Sequence, residues 1–253
     1  MTKKKVILLI GGHDPTGGAG ITADIETALN YNFHAISILS CTTIQNTSKF
    51  TKINKMPNNY LINCFKEIIK EFSIDVVKIG LLPNINISKE VFSILQHKKL
   101  NKVPIIVDPI IKSGNNKILS PKNNLEFIIK KILPVSEIIT PNIKEYKFLK
   151  KGNEEFFHKN IKNILVTDYK KNTKQIYLHL LNNNKNVKNY STNKVRKVFH
   201  GTGCTFSTSI ACNIGLNNSI DDSIKISLSY MKKVILNSSL KGKKQSFLNR
   251  KCN

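Results

Sequence analysis

The chain has 253 residues, of which 40% are apolar, a length and apolar share that suit one large α/β domain or two small ones. Its five cysteines are odd in number and widely spaced, which argues against a disulfide framework or paired zinc ligands and for a reducing, cytoplasmic setting. Forty Lys and Arg against 16 Asp and Glu give a formal net charge of +24, yet the basic runs at 3–5, 150–151 and 241–244 are short, scattered and free of interleaved aromatics, so no nucleic-acid stripe is expected.

Taken in chain order, Lys3-Lys4-Lys5 leads into an apolar run over 6–10 that ends in Gly11-Gly12. A secretory core needs roughly 7–15 apolar residues, so the run reads as a buried first strand. No stretch approaches the ~18 apolar residues of a membrane span. Further strands are expected over 35–40, 76–81, 104–108, 137–140 and 164–167. Between them lie helical patterns, as over 58–72, where Leu61, Cys64, Phe65, Ile68, Ile69 and Phe72 recur at helical spacing. Runs at 176–181 and 187–190 flank an Asn-rich turn and predict a hairpin at a sheet edge. Helices are expected over 206–216 and over 221–236, the latter with Ile224, Leu228, Met231 and Ile235 on one face. Strands alternating with helices imply a mostly parallel sheet covered on both faces. With no internal repeat and no Pro- or Gly-rich linker, one domain over 1–253 is expected. Ligands in such sheets bind beyond the carboxyl ends of the strands, and the unusual residues of this chain cluster there.

After the first strand comes Gly11-Gly12-His13-Asp14-Pro15-Thr16-Gly17-Gly18-Ala19-Gly20, which matches neither the dinucleotide fingerprint nor the Walker A pattern. A glycine-dense turn still lets a ligand approach the backbone closely. Asp24, one turn into the following helix, either projects toward that ligand or simply favours the helix dipole. Gln45, in a polar stretch after the second strand, offers an amide donor and acceptor suited to a nitrogen heterocycle, or is an ordinary loop residue. Lys78-Ile79-Gly80-Leu81 places Gly80 and Leu81 against the same cleft. Asp108 ends an apolar strand, where a carboxylate is costly to bury without a cationic partner. Asn142 and Glu145 form either a capping box or oxygen ligands for Mg²⁺ near a nucleotide phosphate. His200-Gly201-Thr202-Gly203-Cys204-Thr205 opens the helix expected over 206–216; its backbone N–H groups suit an anion, and a thiol in that turn is expected to have a lowered pKa.

Together these pieces resemble the hydroxymethylpyrimidine/phosphomethylpyrimidine kinases of thiamine biosynthesis, within the ribokinase-like superfamily. The resemblance runs in order through 14–24, 45–47, 78–80, 108–109, 112–114, 140–145 and 200–205. It implies a three-layer α/β/α fold and ATP-dependent phosphorylation of an aminopyrimidine's hydroxymethyl group, then of the monophosphate. Carried over by position, Asp24, Gln45, Gly12, Ala19, Gly80, Leu81 and Ile110 surround the pyrimidine. Gly201, Thr202, Gly203 and Cys204 form the anion hole, with Cys204 as candidate base. Asn142, Glu145, Lys112 and Thr167 face the nucleotide, and Asp108 with Glu145 organises Mg²⁺. A homodimer is also implied.

The chain departs from the family pattern at four places. His13 stands where a small hydroxyl residue is usual, and Leu81 replaces a methionine. The segment from Asp108 to Lys112 is short, and Val166-Thr167-Asp168-Tyr169 replaces a Lys-Gly-Gly, leaving Lys170 or Lys171 as substitutes. Competing readings are a pyridoxal kinase, which shares the glycine turn with its cysteine, and a non-catalytic pyrimidine binder, which the missing lysine motivates.

Overall fold

The first strand, β1 (Val6–His13), turns Val6, Leu8 and Ile10 to one face and Ile7 and Leu9 to the other, and all five are buried. A strand apolar at every position needs cover on both sides, and the rest of the chain supplies it. The computed structural model describes residues 4–111, 119–168, 174–182 and 185–251. In chain order the elements are β1, α1 (Gly20–Asn30), β2 (His34–Gln45), β3 (Phe50–Lys55), α2 (Tyr60–Glu71), β4 (Val76–Ile79), α3 (Ile85–Leu95), β5 (Ile105–Val107) and α4 (Lys122–Phe127). They continue with β6 (Ile138–Ile139), α5 (Ile143–Lys150), α6 (Glu154–Asn160), β7 (Asn163–Val166), β8 (Gln175–Asn182), β9 (Lys185–Asn193), β10 (Phe199–His200), α7 (Thr202–Gly215), α8 (Ile220–Leu236) and β11 (Ser246–Phe247).

Among the described residues, nine strands form one sheet in the order β3-β2-β1-β4-β5-β6-β7-β8-β9. From β2 to β7 neighbouring strands run parallel, while β3, β8 and β9 attach antiparallel at the two edges. On one face, α2 to α6 supply Leu61, Phe65, Val91, Ile94 and Leu149 to the core. On the other, α1, α7 and α8 supply Ile21, Ala28, Ile210, Ile224 and Val234. This is the expected α/β/α sandwich with a mostly parallel sheet.

Two local expectations are corrected. The second strand does not stop near residue 40: it runs to Gln45 and pairs with β3, which sequence patterning did not reveal. β3 is an edge strand with residues such as Lys52, Asn54 and Lys55 exposed, so it lacks the apolar alternation that marks a half-buried strand. The helix expected from residue 206 begins at Thr202, because Gly201 takes the N-cap position at φ +77° and the backbone enters the helix directly behind it.

Candidate active site

The strand order reverses between β1 and β4, which is where a doubly wound sheet opens a crevice. A cleft open to solvent lies there at the carboxyl ends of the strands. Gly12, Ala19 and Asp24 line it from the β1–α1 turn, Gln45 from the end of β2, and Gly80 and Leu81 from the end of β4. Asp108 and Ile110 follow β5, Asn142, Glu145 and Thr167 close the far side, and Gly201 to Cys204 face them from α7. The structure therefore gathers all the nominated residues that it describes. Lys112, Lys170 and Lys171 lie outside the described residues.

Asp14 organises the first glycine turn. Its carboxylate accepts from the backbone N–H of Thr16 at 3.0 Å and of Ala19 at 3.1 Å, and it meets His200 Nε2 at 2.6 Å. Burial opposes the charge, but His200 and the Thr16 N–H hold the carboxyl below its usual range. The first glycine turn and the anion turn are thus joined by a side-chain bridge between residues 14 and 200.

Asp24 is buried, and its carboxylate is committed within the protein. Lys78 Nζ lies 2.9 and 2.8 Å from its two oxygens, and Thr208 Oγ1 donates to it at 2.8 Å. The expectation that Asp24 meets a ligand directly is corrected to this extent: it lines the cleft, but its first partner is Lys78. Sequence reading did not single out Lys78. A signal existed, since all four residues of β4 are buried and one of them is a lysine. Burial alone would lower the Lys78 pKa, yet Asp24, then Cys204 and Asp108, hold its ammonium above the ordinary value.

At the start of α7, Thr202, Gly203 and Cys204 occupy the first turn, so their N–H groups lack partners within the helix. The first intrahelical bond runs from Thr205 N–H to Gly201 C=O at 3.0 Å. Orphan donors and the positive end of the dipole therefore face the cleft together. The Cys204 expectation is corrected. Its thiol is pushed up to about 12, because burial and the charges of Asp24 and Asp108 outweigh the pull of Lys78 and the Gly20 N–H.

The Asn142–Glu145 pair is a complete capping box: Asn142 Oδ1 accepts from the N–H groups of Lys144 and Glu145, and Glu145 Oε2 accepts from the Asn142 N–H. Glu145 nonetheless belongs to the cleft. Burial and then the charge of Asp108 push its carboxyl up to about 8. Asp108 is itself raised to about 6 by burial, with Lys78 opposing and Asp24 adding to the rise. Thr140 also lines the cleft, and its buried Oγ1 finds no hydrogen-bond partner among the described residues. Two carboxyls whose charge is disfavoured by burial and an unpaired hydroxyl oxygen offer oxygen donors alone, too few for a cage. That set fits Mg²⁺, which keeps waters and phosphate oxygens in its shell.

Sequence reasoning also missed Phe50, Phe199 and Gln245 in the cleft lining, and gave Thr140, the first residue of the 140–145 motif, no role. Gln245 lies far along the chain in a polar C-terminal stretch, and no local pattern points to it. At the Lys-Gly-Gly position, Thr167 pairs with the Pro141–Ile143 backbone, and Asp168 sits at φ +55°, where glycine is favoured.

The phosphomethylpyrimidine kinase family model matches residues 14–249. The hydroxymethylpyrimidine/phosphomethylpyrimidine kinase of Aquifex aeolicus is 29% identical over 94% of this chain and 97% of its own length. A bifunctional thiamine biosynthesis protein of Methanocaldococcus jannaschii is 32% identical over 96% of this chain, which spans 55% of that longer protein. Among solved structures, phosphomethylpyrimidine kinase from Clostridium difficile superposes with a TM-score of 0.75 at 26% identity, covering 92% of this chain and all of that one. Pyridoxal kinase from Bacillus subtilis, solved with ADP, gives a TM-score of 0.85 over 98% of both chains, but at 19% identity it speaks for the ribokinase-like fold alone. With a family match from the first glycine turn almost to the C-terminus, this chain belongs to the phosphomethylpyrimidine kinase family.

Proposed function

We propose that the protein transfers the γ-phosphoryl group of ATP to the hydroxymethyl group of 4-amino-5-hydroxymethyl-2-methylpyrimidine, and then to the resulting monophosphate. The observation that carries this reading is the convergence on one cleft of Gln45, with paired amide donor and acceptor, and the open N–H groups of α7. Phosphoryl transfer asks for positioning and for stabilisation of charge on the transferred group, and the two halves of the cleft divide that work. Gln45 hydrogen-bonds the ring edge, while Leu81 and Ile110 supply its apolar walls. The α7 turn holds the oxygens of the transferred phosphoryl group. Asp108 and Glu145 would hold Mg²⁺, which when bound neutralises phosphate charge and the Asp108 carboxylate, one of the two that push Cys204 up. Cys204 sits where the acceptor hydroxyl meets the turn and takes its proton; Lys78 favours the thiolate. The reading extends to one domain over the whole chain, a cytoplasmic setting and a homodimer. These rest on cysteine usage and the resemblance, and sedimentation velocity tests the dimer. Among the described residues no helix is long and apolar enough to cross a membrane.

ADP release measured with hydroxymethylpyrimidine, its monophosphate and pyridoxal as alternative acceptors tests the reading. Turnover is expected with both pyrimidines. Turnover with pyridoxal alone would assign the protein to the other chemistry, and pyrimidine binding without ADP release would make it a binder. Gln45→Ala is expected to raise the pyrimidine KM about tenfold, the worth of one lost hydrogen bond to a buried ligand, with little change in kcat. An unaltered KM removes Gln45 from the ring.

Cys204→Ala is expected to lower kcat by about a hundredfold or more, the usual worth of a positioned proton acceptor, while pyrimidine affinity survives. Since kcat/KM reports the free enzyme, whose Cys204 thiol burial holds well above its ordinary range, only the small deprotonated fraction reacts near neutrality. That fraction grows about tenfold per pH unit below the pKa. The wild-type kcat/KM should therefore climb from neutral into mildly alkaline pH, and the climb should vanish in Cys204→Ala. A flat wild-type profile would place the proton elsewhere.

A further inference from the structure

The residues after α8 double back over the two glycine turns. Asn249 N–H donates to Val234 C=O at 3.2 Å, Tyr230 Oη donates to the Arg250 carbonyl at 2.9 Å, and β11 pairs with β10 just before the anion turn. This brings Arg250 inward, where it is only 4% exposed although it is a charged residue near the end of the chain. Its guanidinium is spent on three separate segments. Nε donates to Thr205 Oγ1 at 2.8 Å, Nη1 to Glu26 Oε2 at 2.8 Å and Gly17 C=O at 3.4 Å, and Nη2 to Gly18 C=O at 2.5 Å. Those segments are the first turn of α7, helix α1 and the first glycine turn. Gly18 C=O also touches the anion turn directly: a Cβ on Gly201 would lie 1.9 Å from that oxygen and 2.9 Å from Arg250 Nη2.

We infer that Arg250 is a positioning residue for phosphoryl transfer, which locks the α7 N-terminus against the Gly17–Gly18 turn so that the anion-binding N–H groups are held in place before the ligand arrives. The inference rests on the proposed kinase reading. Its physical basis is the planar fork of arginine, whose donors reach several acceptors at once in a fixed geometry, whereas lysine offers a point charge that serves fewer. Glu26 takes up the charge, so the guanidinium is neither an unpaired buried cation nor free to move to a substrate phosphate. A surface arginine holding one carboxylate would add little; a buried one bridging three elements sets their spacing. Preorganised donors stabilise a transition state only if they do not have to be rearranged when the charge develops, which is what this contact prevents.

Arg250→Lys and Arg250→Ala test it in the full chain. For the folded protein, measured against its own thermal transition, kcat is expected to fall about tenfold to a hundredfold, the worth of a small misplacement at the reacting centre, while the pyrimidine KM moves less. Guanidinium at tens of millimolar should restore part of the turnover of Arg250→Ala and none in Arg250→Lys, where the site is filled. In hydrogen exchange, the Thr205 amide should open faster in both variants than in the wild type. Wild-type kcat in folded Arg250→Lys overturns the inference, as does a loss in Arg250→Ala that merely tracks the unfolded fraction without guanidinium rescue. If the wild-type chain releases no ADP with any acceptor, it is the kinase reading that fails. Exchange at Thr205 then still decides the lock, and an unchanged rate overturns it.

Discussion

Lys78→Met is expected to destabilise the fold by about 3–5 kcal/mol, the usual cost of removing one member of a buried ion pair. The Lys78 and Asp24 side chains are 0% and 1% exposed, so neither charge has water to fall back on. Thr208 still donates to Asp24 in the variant, but a hydroxyl cannot offset a full charge. The variant also leaves Asp108 without the opposing cation that limits its rise, and the Cys204 thiol without the ammonium that pulls it down. Turnover should therefore be lost along with stability. Urea unfolding and ADP release measure the two effects separately. A stability loss under about 1 kcal/mol would mean the pair is hydrated and weak, as surface pairs are.

A second substitution separates the structural from the chemical role of the pair. Asp24→Leu placed beside Lys78→Met replaces two charges by apolar groups of similar size, and such replacements are often neutral or stabilising. Most of the lost stability should return. Turnover should not: Asp24→Leu removes one charge that pushes Asp108 and Cys204 up, but burial and the missing ammonium still disfavour the thiolate. If the double variant regains activity, the pair is a packing device and Lys78 has no part in the reaction.

The strands and the ligand-facing turns were legible in the sequence because each has a local cause. A parallel strand buried on both faces, such as β1, must be apolar throughout, and the turn behind it must be rich in glycine if a ligand is to reach the backbone. Features set by distant partners left no such trace. Asp24 reads as a ligand-facing or dipole-favoured helix carboxylate until Lys78, 54 residues away, is placed against it. Arg250 reads as one of many basic residues, and its contact with Gly18 spans 232 residues. The Cys204 thiol shows the same limit from another side. Its turn predicts a lowered pKa, but burial outweighs the turn, and the charges at the sulfur come from Lys78, Asp24 and Asp108, which lie far away in the sequence. The edge strand β3 was missed for a simpler reason: exposed on most positions, it needs no apolar pattern to hold it.

Gly201→Ala is expected to remove at least about a hundredfold of turnover, comparable to losing an oxyanion-hole donor, without unfolding the protein. Two costs coincide at this residue. Its φ of +77° lies in the left-handed region, where a Cβ costs about 1–2 kcal/mol. That Cβ would in addition lie 1.9 Å from Gly18 C=O, a distance no relaxation of a side chain can relieve because the obstacle is backbone. The two glycine turns must then move apart, and the N–H groups of Thr202, Gly203 and Cys204 move with them, away from the point where phosphoryl charge develops. Gly152 provides the control within the same chain. It also adopts a positive φ, +74°, but a Cβ there meets nothing within 4 Å, and the residue lies between α5 and α6, away from the cleft. Gly152→Ala should therefore incur the backbone cost alone, lowering stability by about 1–2 kcal/mol while kcat stays at the wild-type value. The comparison isolates the contact between the turns from the conformational penalty. Equal loss of turnover in both variants would show that general destabilisation, rather than displacement of the anion-binding turn, is what Gly201→Ala reports.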